Sequence, residues 1–180
     1  MSIEDIKGTL ENNGSISDEL KDNIVALVEI FSNNFPNVSL EKLNNNLKTL
    51  KIKRVSKYVT NEVAYYSGAS NTLYINYSKI TDDDDVRHII MHQLLHIITY
   101  NGRYSGFNEN NFFRALNEGF TEIITNNIVG NEGDKTYFDD EVVATNLLSS
   151  IVGVDVMERC YFNNDAQGLM QELINVGGEI

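Results

Sequence analysis

Apolar residues recur along this chain at two different periods, and the change from one to the other divides it. In residues 15–33, Ile24, Leu27, Val28, Ile30 and Phe31 fall at helical spacing. This predicts a helix capped by Ser15 or Ser17 and stopped by Pro36, the only proline. Ser39 caps a second predicted helix through Leu40, Leu43 and Leu47, whose asparagine-rich middle lowers its intrinsic preference. Residues 1–14 are polar, end in Asn12-Asn13-Gly14, and read as a short helix or a loose end. From residue 51 to residue 77 the residues turn β-branched and aromatic: Ile52, Val55, Val59, Val63, Tyr65 and Tyr74 to Tyr77, broken at Thr60-Asn61 and at residues 67–71. Three short strands in a small antiparallel sheet are expected there. The run from Val86 to Thr99 is apolar on almost every side and reads as one buried helix. A turn-rich connection, Tyr100 to Gly106, leads to a second helix over roughly residues 109–129, with Phe112, Phe113, Leu116, Phe120, Ile123 and Ile124 as its stripe. Glycines at 130 and 133 end it, and further helices are predicted over 139–152, 154–162 and 166–176.

The elements predict one α+β domain spanning residues 1–180: a helical N-terminal layer (1–50), a small sheet (51–80), and a mainly helical remainder (81–180). A length of 180 residues with 42% hydrophobic content is enough for a single buried core. A net charge of −12 disfavours nucleic acid and anionic membrane as partners. Five of the fourteen basic residues crowd into Lys48, Lys51, Lys53, Arg54 and Lys57. That run reads as a solvated strand face, with a docking site for an acidic partner as the alternative. One cysteine, Cys160, rules out an internal disulfide; set in an apolar helix, it reads as core rather than as a nucleophile. The start has no basic segment followed by an apolar run, and no stretch approaches 18 apolar residues, so a cytoplasmic protein is expected, although a trimmed leader would leave the same text.

All three histidines, His88, His92 and His96, lie in the buried helix. Thr81, followed by Asp82 to Asp85, caps its start, where free N–H groups and the helix dipole attract acids. His92 and His96 are one turn apart, which puts them about 40° apart on one face with roughly 6 Å between β-carbons, close enough to clamp one ion. The segment His92-Gln-Leu-Leu-His96 resembles the HExxH motif of zinc metallopeptidases. Downstream, Ala115-Leu-Asn-Glu-Gly-Phe-Thr-Glu122 resembles the second zinc motif of the gluzincins, most closely the LNEGF segment of zinc aminopeptidases.

That resemblance implies a zincin-like fold, one zinc ion held by His92, His96 and Glu118, and Glu122 hydrogen-bonded to His92 from one turn further on. It implies a peptide or protein substrate lying along the strand just before the active-site helix, Leu73 to Tyr77. Three protein ligands suffice, so His88 is expected at the surface or behind the ligands. It also implies an oxyanion donor; with no histidine to spare, Tyr137 is the candidate, ahead of Tyr100 and Tyr104. The chain departs from the pattern at one place: Gln93 stands where the family has the glutamate that works as general base. An amide cannot take that proton, so the expected metallopeptidase is inactive as written, while metal binding survives. Three accounts of Gln93 stay open: an artificial exchange that traps substrate, a natural pseudopeptidase that binds or regulates, or another base in its place.

Overall fold

A computed structural model describes residues 1–56, 62–80, 82–111, 113–130 and 138–178. The N-terminal residues resolve into a helix, α1 (Ile3–Glu11), because Ser2 and Asp5 form a reciprocal capping box that answers two free N–H groups at its start. Its buried Ile6 and Leu10 pack on α2 (Asp18–Asn34) and α3 (Glu41–Leu47). Leu20, Ile24, Leu27, Val28 and Phe31 are the buried stripe of α2. Leu43 and Leu47 face inward from α3, and Ser39 Oγ accepts from the Glu41 N–H at its start. Buried Asn13 locks this layer by donating from Nδ2 to the carbonyls of Leu47 and Leu50, at 2.7 and 3.0 Å.

Three strands follow: β1 (Lys51–Arg54), β2 (Ala64–Ser67) and β3 (Thr72–Ile75). The sheet is mixed rather than antiparallel, in the order β1-β3-β2, with β1 parallel and β2 antiparallel to β3. The physical reason lies in side-chain character. Thr72, Leu73 and Ile75 are buried and can take the centre, whereas β1 carries Lys51, Lys53 and Arg54 and is suited only to an edge, where charge discourages pairing with another chain. Lys51, Lys53 and Arg54 of the basic run are thus exposed on this edge strand, with Lys53 over the Tyr74 ring and Arg54 over the Tyr77 ring. Residues 73–75 therefore form the middle of the sheet, and the exposed edge nearest the histidine helix is β2 instead. Asn71, at φ 45° in the left-handed region, turns β2 into β3, accepts from the Tyr66 hydroxyl and donates to the Asn46 carbonyl, pinning the hairpin to α3.

The histidine helix, α4 (Asp83–Thr99), runs through the centre of the molecule against α2, α3, β2, α5 (Arg114–Val129) and α7 (Val154–Asn163). Ile89, Ile90, Met91, Leu94, Leu95, Ile97 and Ile98 are all buried, which is why its sequence is apolar on every side. Its cap is Asp82, whose side chain accepts from the Asp85 N–H; Thr81 lies outside the described residues, as do Lys57, Val59, Thr60, Asn61, Phe112 and Gly133. Helix α5 ends at Gly130, at φ 80°. The remaining described helices are α6 (Asp139–Val152), α7 and α8 (Ala166–Gly177), matching the three predicted segments. Cys160 is buried in α7 and unpaired, and burial pushes its thiol pKa up, in keeping with a core role. Among the described residues no helix is long and apolar enough to cross a membrane.

Helices α5 and α6 meet at Gly119, where a β-carbon would run into the Glu141 carbonyl oxygen and the Thr145 hydroxyl. Only glycine allows the approach. Gly119→Ala is expected to lower unfolding free energy by about 1–3 kcal/mol, the range for overpacking a filled contact. Urea titration followed by circular dichroism checks this; an unchanged midpoint would mean that α6 yields without cost.

Candidate metal centre

Two helices supply the centre. Residues at i, i+4 and i+8 of a helix share a face, so α4 presents His88, His92 and His96 together, and α5 answers with Glu118 and Glu122, also one turn apart. Glu118 Oε2 lies 3.1 Å from His92 Nε2 and 3.3 Å from His96 Nε2. One possible ligand atom from each of these three residues lies within 4.8 Å of the others. Two donors bound tetrahedrally at about 2.0–2.1 Å from one zinc ion sit roughly 3.3–3.4 Å apart, so the convergence suits a cation of that size, although other divalent ions share the donor set.

A second layer stands behind these three residues. Glu122 is 0% exposed, and its two oxygens are divided between the histidines: Oε2 to His92 Nδ1 at 2.9 Å and Oε1 to His88 Nε2 at 2.8 Å. Bonding at Nδ1 leaves His92 Nε2 as the atom turned toward Glu118. His88 is thus buried and turned to Glu122, outside the cluster of His92, His96 and Glu118. Asn117, also buried, accepts from the Phe107 N–H at 2.9 Å, and its Nδ2 lies 3.5 Å from Glu118 Oε1. The Phe138 ring lies over the His92 ring, centroids 5.4 Å apart and planes 21° from parallel.

Charge and burial compete here. Burial alone would lower the His92 pKa, but hydrogen bonds and charge from Glu118 and Glu122 outweigh it and hold it at about 9. For Glu122 burial acts upward, yet the bonds from His88 and His92 bring it down to about 2. Burial likewise pushes Glu118 upward, and His96 and His92 override it to hold that carboxyl well below the usual carboxylate range.

A cavity of about 720 Å³ opens beside the cluster. Ala64 to Tyr66 of the edge strand line it, together with Tyr100, Arg103, Asn108 and Arg114. Gln93 also lines the cavity, between His92 and His96 in sequence, and its Nε2 donates to the Ala64 carbonyl at 3.4 Å. The tyrosine assignments fare unevenly. Tyr137 lies outside the described residues. Tyr104 lines the cavity, but its hydroxyl donates to the Asn164 carbonyl at 3.0 Å. Tyr66 gives its hydroxyl to Asn71, and burial raises its pKa to about 12. Tyr100 also lines the cavity and packs edge-on against Tyr66. Sequence reasoning missed Asn117, Phe138 and the Ala64 carbonyl. Asn117 stands next to Glu118 in the quoted motif and was within reach; the other two are brought in by tertiary packing alone.

With no ion bound, His92 has a folded pKa of about 9 against an ordinary 6.5, so the stability it contributes is complete below pH 6.5 and is lost as pH rises through 9. Glu122, lowered from 4.5 to about 2, contributes above pH 4.5 and loses that contribution as pH falls toward 2. The metal-free chain should therefore melt highest near pH 5 to 6.5 and lose melting temperature toward pH 9; a melting temperature that climbs over that alkaline range contradicts the pairing. Glu122→Gln keeps the shape behind His92 and removes its charge. If the cluster holds a divalent ion, its affinity should drop about 10–100-fold by chelator competition, the usual effect of losing such a partner, and an unchanged affinity would make Glu122 irrelevant to the cluster.

Comparison of the chain with protein-family models, with curated proteins and with solved structures finds no match.

Proposed function

We propose that the chain is a zinc-binding domain of zincin type, built as a metallopeptidase but lacking the general base. The observation that carries this reading is the convergence of His92 Nε2, His96 Nε2 and Glu118 Oε2, in the wall of a cavity large enough for a peptide segment. The order of sheet, histidine helix, glutamate helix and helical tail supports the zincin comparison. A bound zinc ion would supply Lewis-acid polarisation of a carbonyl and a lowered pKa for its water. The residues around it have separate tasks. Glu122 orients His92, the Phe138 ring shields it from solvent, and the edge of β2 offers Ala64 and Tyr66 as backbone partners for an extended peptide. Gln93 occupies the position of the base and, as an amide, neither takes nor returns a proton.

General acid–base assistance is worth roughly 10²–10⁴-fold, so hydrolysis by the chain as it stands is expected to be very slow. A second reading, a pseudopeptidase that binds or regulates, is favoured by the bond from Gln93 Nε2 to the Ala64 carbonyl, because a carboxylate could not donate to that oxygen. Under it the glutamine is suited to its place and not merely tolerated.

Metal content after dialysis against zinc should approach one equivalent per chain by plasma emission. Gln93→Glu should then raise cleavage of a quenched-fluorescence peptide mixture by about 10²–10⁴-fold. Lack of stoichiometric zinc removes the whole reading; zinc with no gain from Gln93→Glu leaves the binding module.

A further inference from the structure

Helix α6 wears its polarity the wrong way round for a chain that stays alone in water. Its buried side chains are the polar Thr145 and Ser149, with Thr145 lying against Gly119 of α5. Val143, Leu147 and Ile151, by contrast, are between 54% and 63% exposed. Leu148 and Val152 pack on the core, so the helix is apolar on its outer side as well as its inner one. The three exposed residues stand at i, i+4 and i+8 and form one stripe about 80° wide. Single exposed apolar residues are ordinary; a row along one helix face marks a contact. The same stretch is empty of charge: residues 142–154 hold no acid or base, in a chain where 22% of residues are charged.

We infer that this stripe is a homodimer interface, with two copies of α6 pairing antiparallel about a two-fold axis at Leu147. The stripe is its own complement. Leu147 is central, and Val143 and Ile151, both β-branched, lie one turn to either side, so antiparallel pairing sets Leu147 on Leu147 and Val143 on Ile151. Two chains of net charge −12 repel, and a face without charges is where they can meet. A lipid surface is the poorer occupant, because α6 has no basic residue to flank its apolar side. With Val154, and with Met170 and Ile174 of α8, which packs against α6, the exposed apolar side chains offer roughly 200–400 Å². A standard interface takes about 800 Å² from each partner, a little over half of it apolar, so the pairing is reversible rather than obligate. Asp139 and Asp140 at one end of α6, and Asp155 beyond the other, meet at the rims and oppose it. The inference goes beyond the zinc reading and stands or falls separately from it.

Sedimentation equilibrium over a dilution series of the full chain tests the pairing. A monomer–dimer equilibrium is expected, tightening as sodium chloride screens the acids at the rims. Leu147→Asp sets two charges at the axis and should leave a monomer with an unchanged circular dichroism spectrum; Leu147→Ser, the milder variant should aspartate disturb folding, should weaken the dimer at least about tenfold. Geometry is read by cross-linking, with Cys160 buried and silent. Leu147→Cys alone should form a disulfide between copies under mild oxidation, because the residue meets itself. Val143→Cys and Ile151→Cys should link when mixed and not singly. A monomer persisting to about 1 mM overturns the inference. So does a dimer that survives both Leu147 exchanges, loosens with added salt, or fails to cross-link through Leu147→Cys, as does a monomer that uses the same residues to bind phosphatidylcholine vesicles.

Discussion

A carboxylate sealed from water constrains everything near it. Glu122 is fully buried, and an ionised group so placed is tolerated only when hydrogen bonds answer its oxygens. His88 and His92 do this, one to each oxygen, and both come from α4. The requirement restrains how α4 and α5 lie against each other, since both helices must keep a histidine at each oxygen of Glu122. Glu118 follows from the same alignment, because it stands on the face of α5 that Glu122 has already turned toward α4. The cluster of His92, His96 and Glu118 is in this sense a consequence of where Glu122 is buried, and Gly119 lets α6 close over the far side of α5 without disturbing it.

Such a core of imidazoles and carboxylates differs from an apolar one in its directionality. Leu94, Leu95, Ile97 and Ile98 fill volume and accept many arrangements, whereas each nitrogen and oxygen of the cluster accepts few. Apolar burial around α4 supplies the driving force for collapse, and the polar cluster selects one collapsed arrangement from many.

Much of the centre was legible in the sequence because it depends on local spacing. Four-residue steps bring His88, His92 and His96 to one face and Glu118 with Glu122 to another, and the α-helix converts those steps into geometry without further information. Helix boundaries in the C-terminal part were readable for the same reason. The sheet was not: strand order depends on which segments meet across the chain, and the alternation in residues 51–77 is compatible with several pairings. Weighing the charge of β1 against the apolar character of Thr72 to Ile75 would have favoured β3 as the centre. Phe138 and the Ala64 carbonyl carry no signal in the text, since a ring over a histidine and a backbone oxygen beside a glutamine arise only when distant segments are brought together. The α1 cap could have been read from Ser2 and Asp5, three residues apart.

The ring of Phe138 stacks on His92 at the point where α6 begins. Such a cover makes the thermodynamics and the kinetics of the centre separable. How strongly a cation would be held there depends on the donors of His92, His96 and Glu118, but how quickly it would exchange with solvent also depends on the ring that covers His92. Because Phe138 precedes α6 and stands outside both helices that carry the three donors, variation at residue 138 would be free to tune residence time while the donor set stays the same.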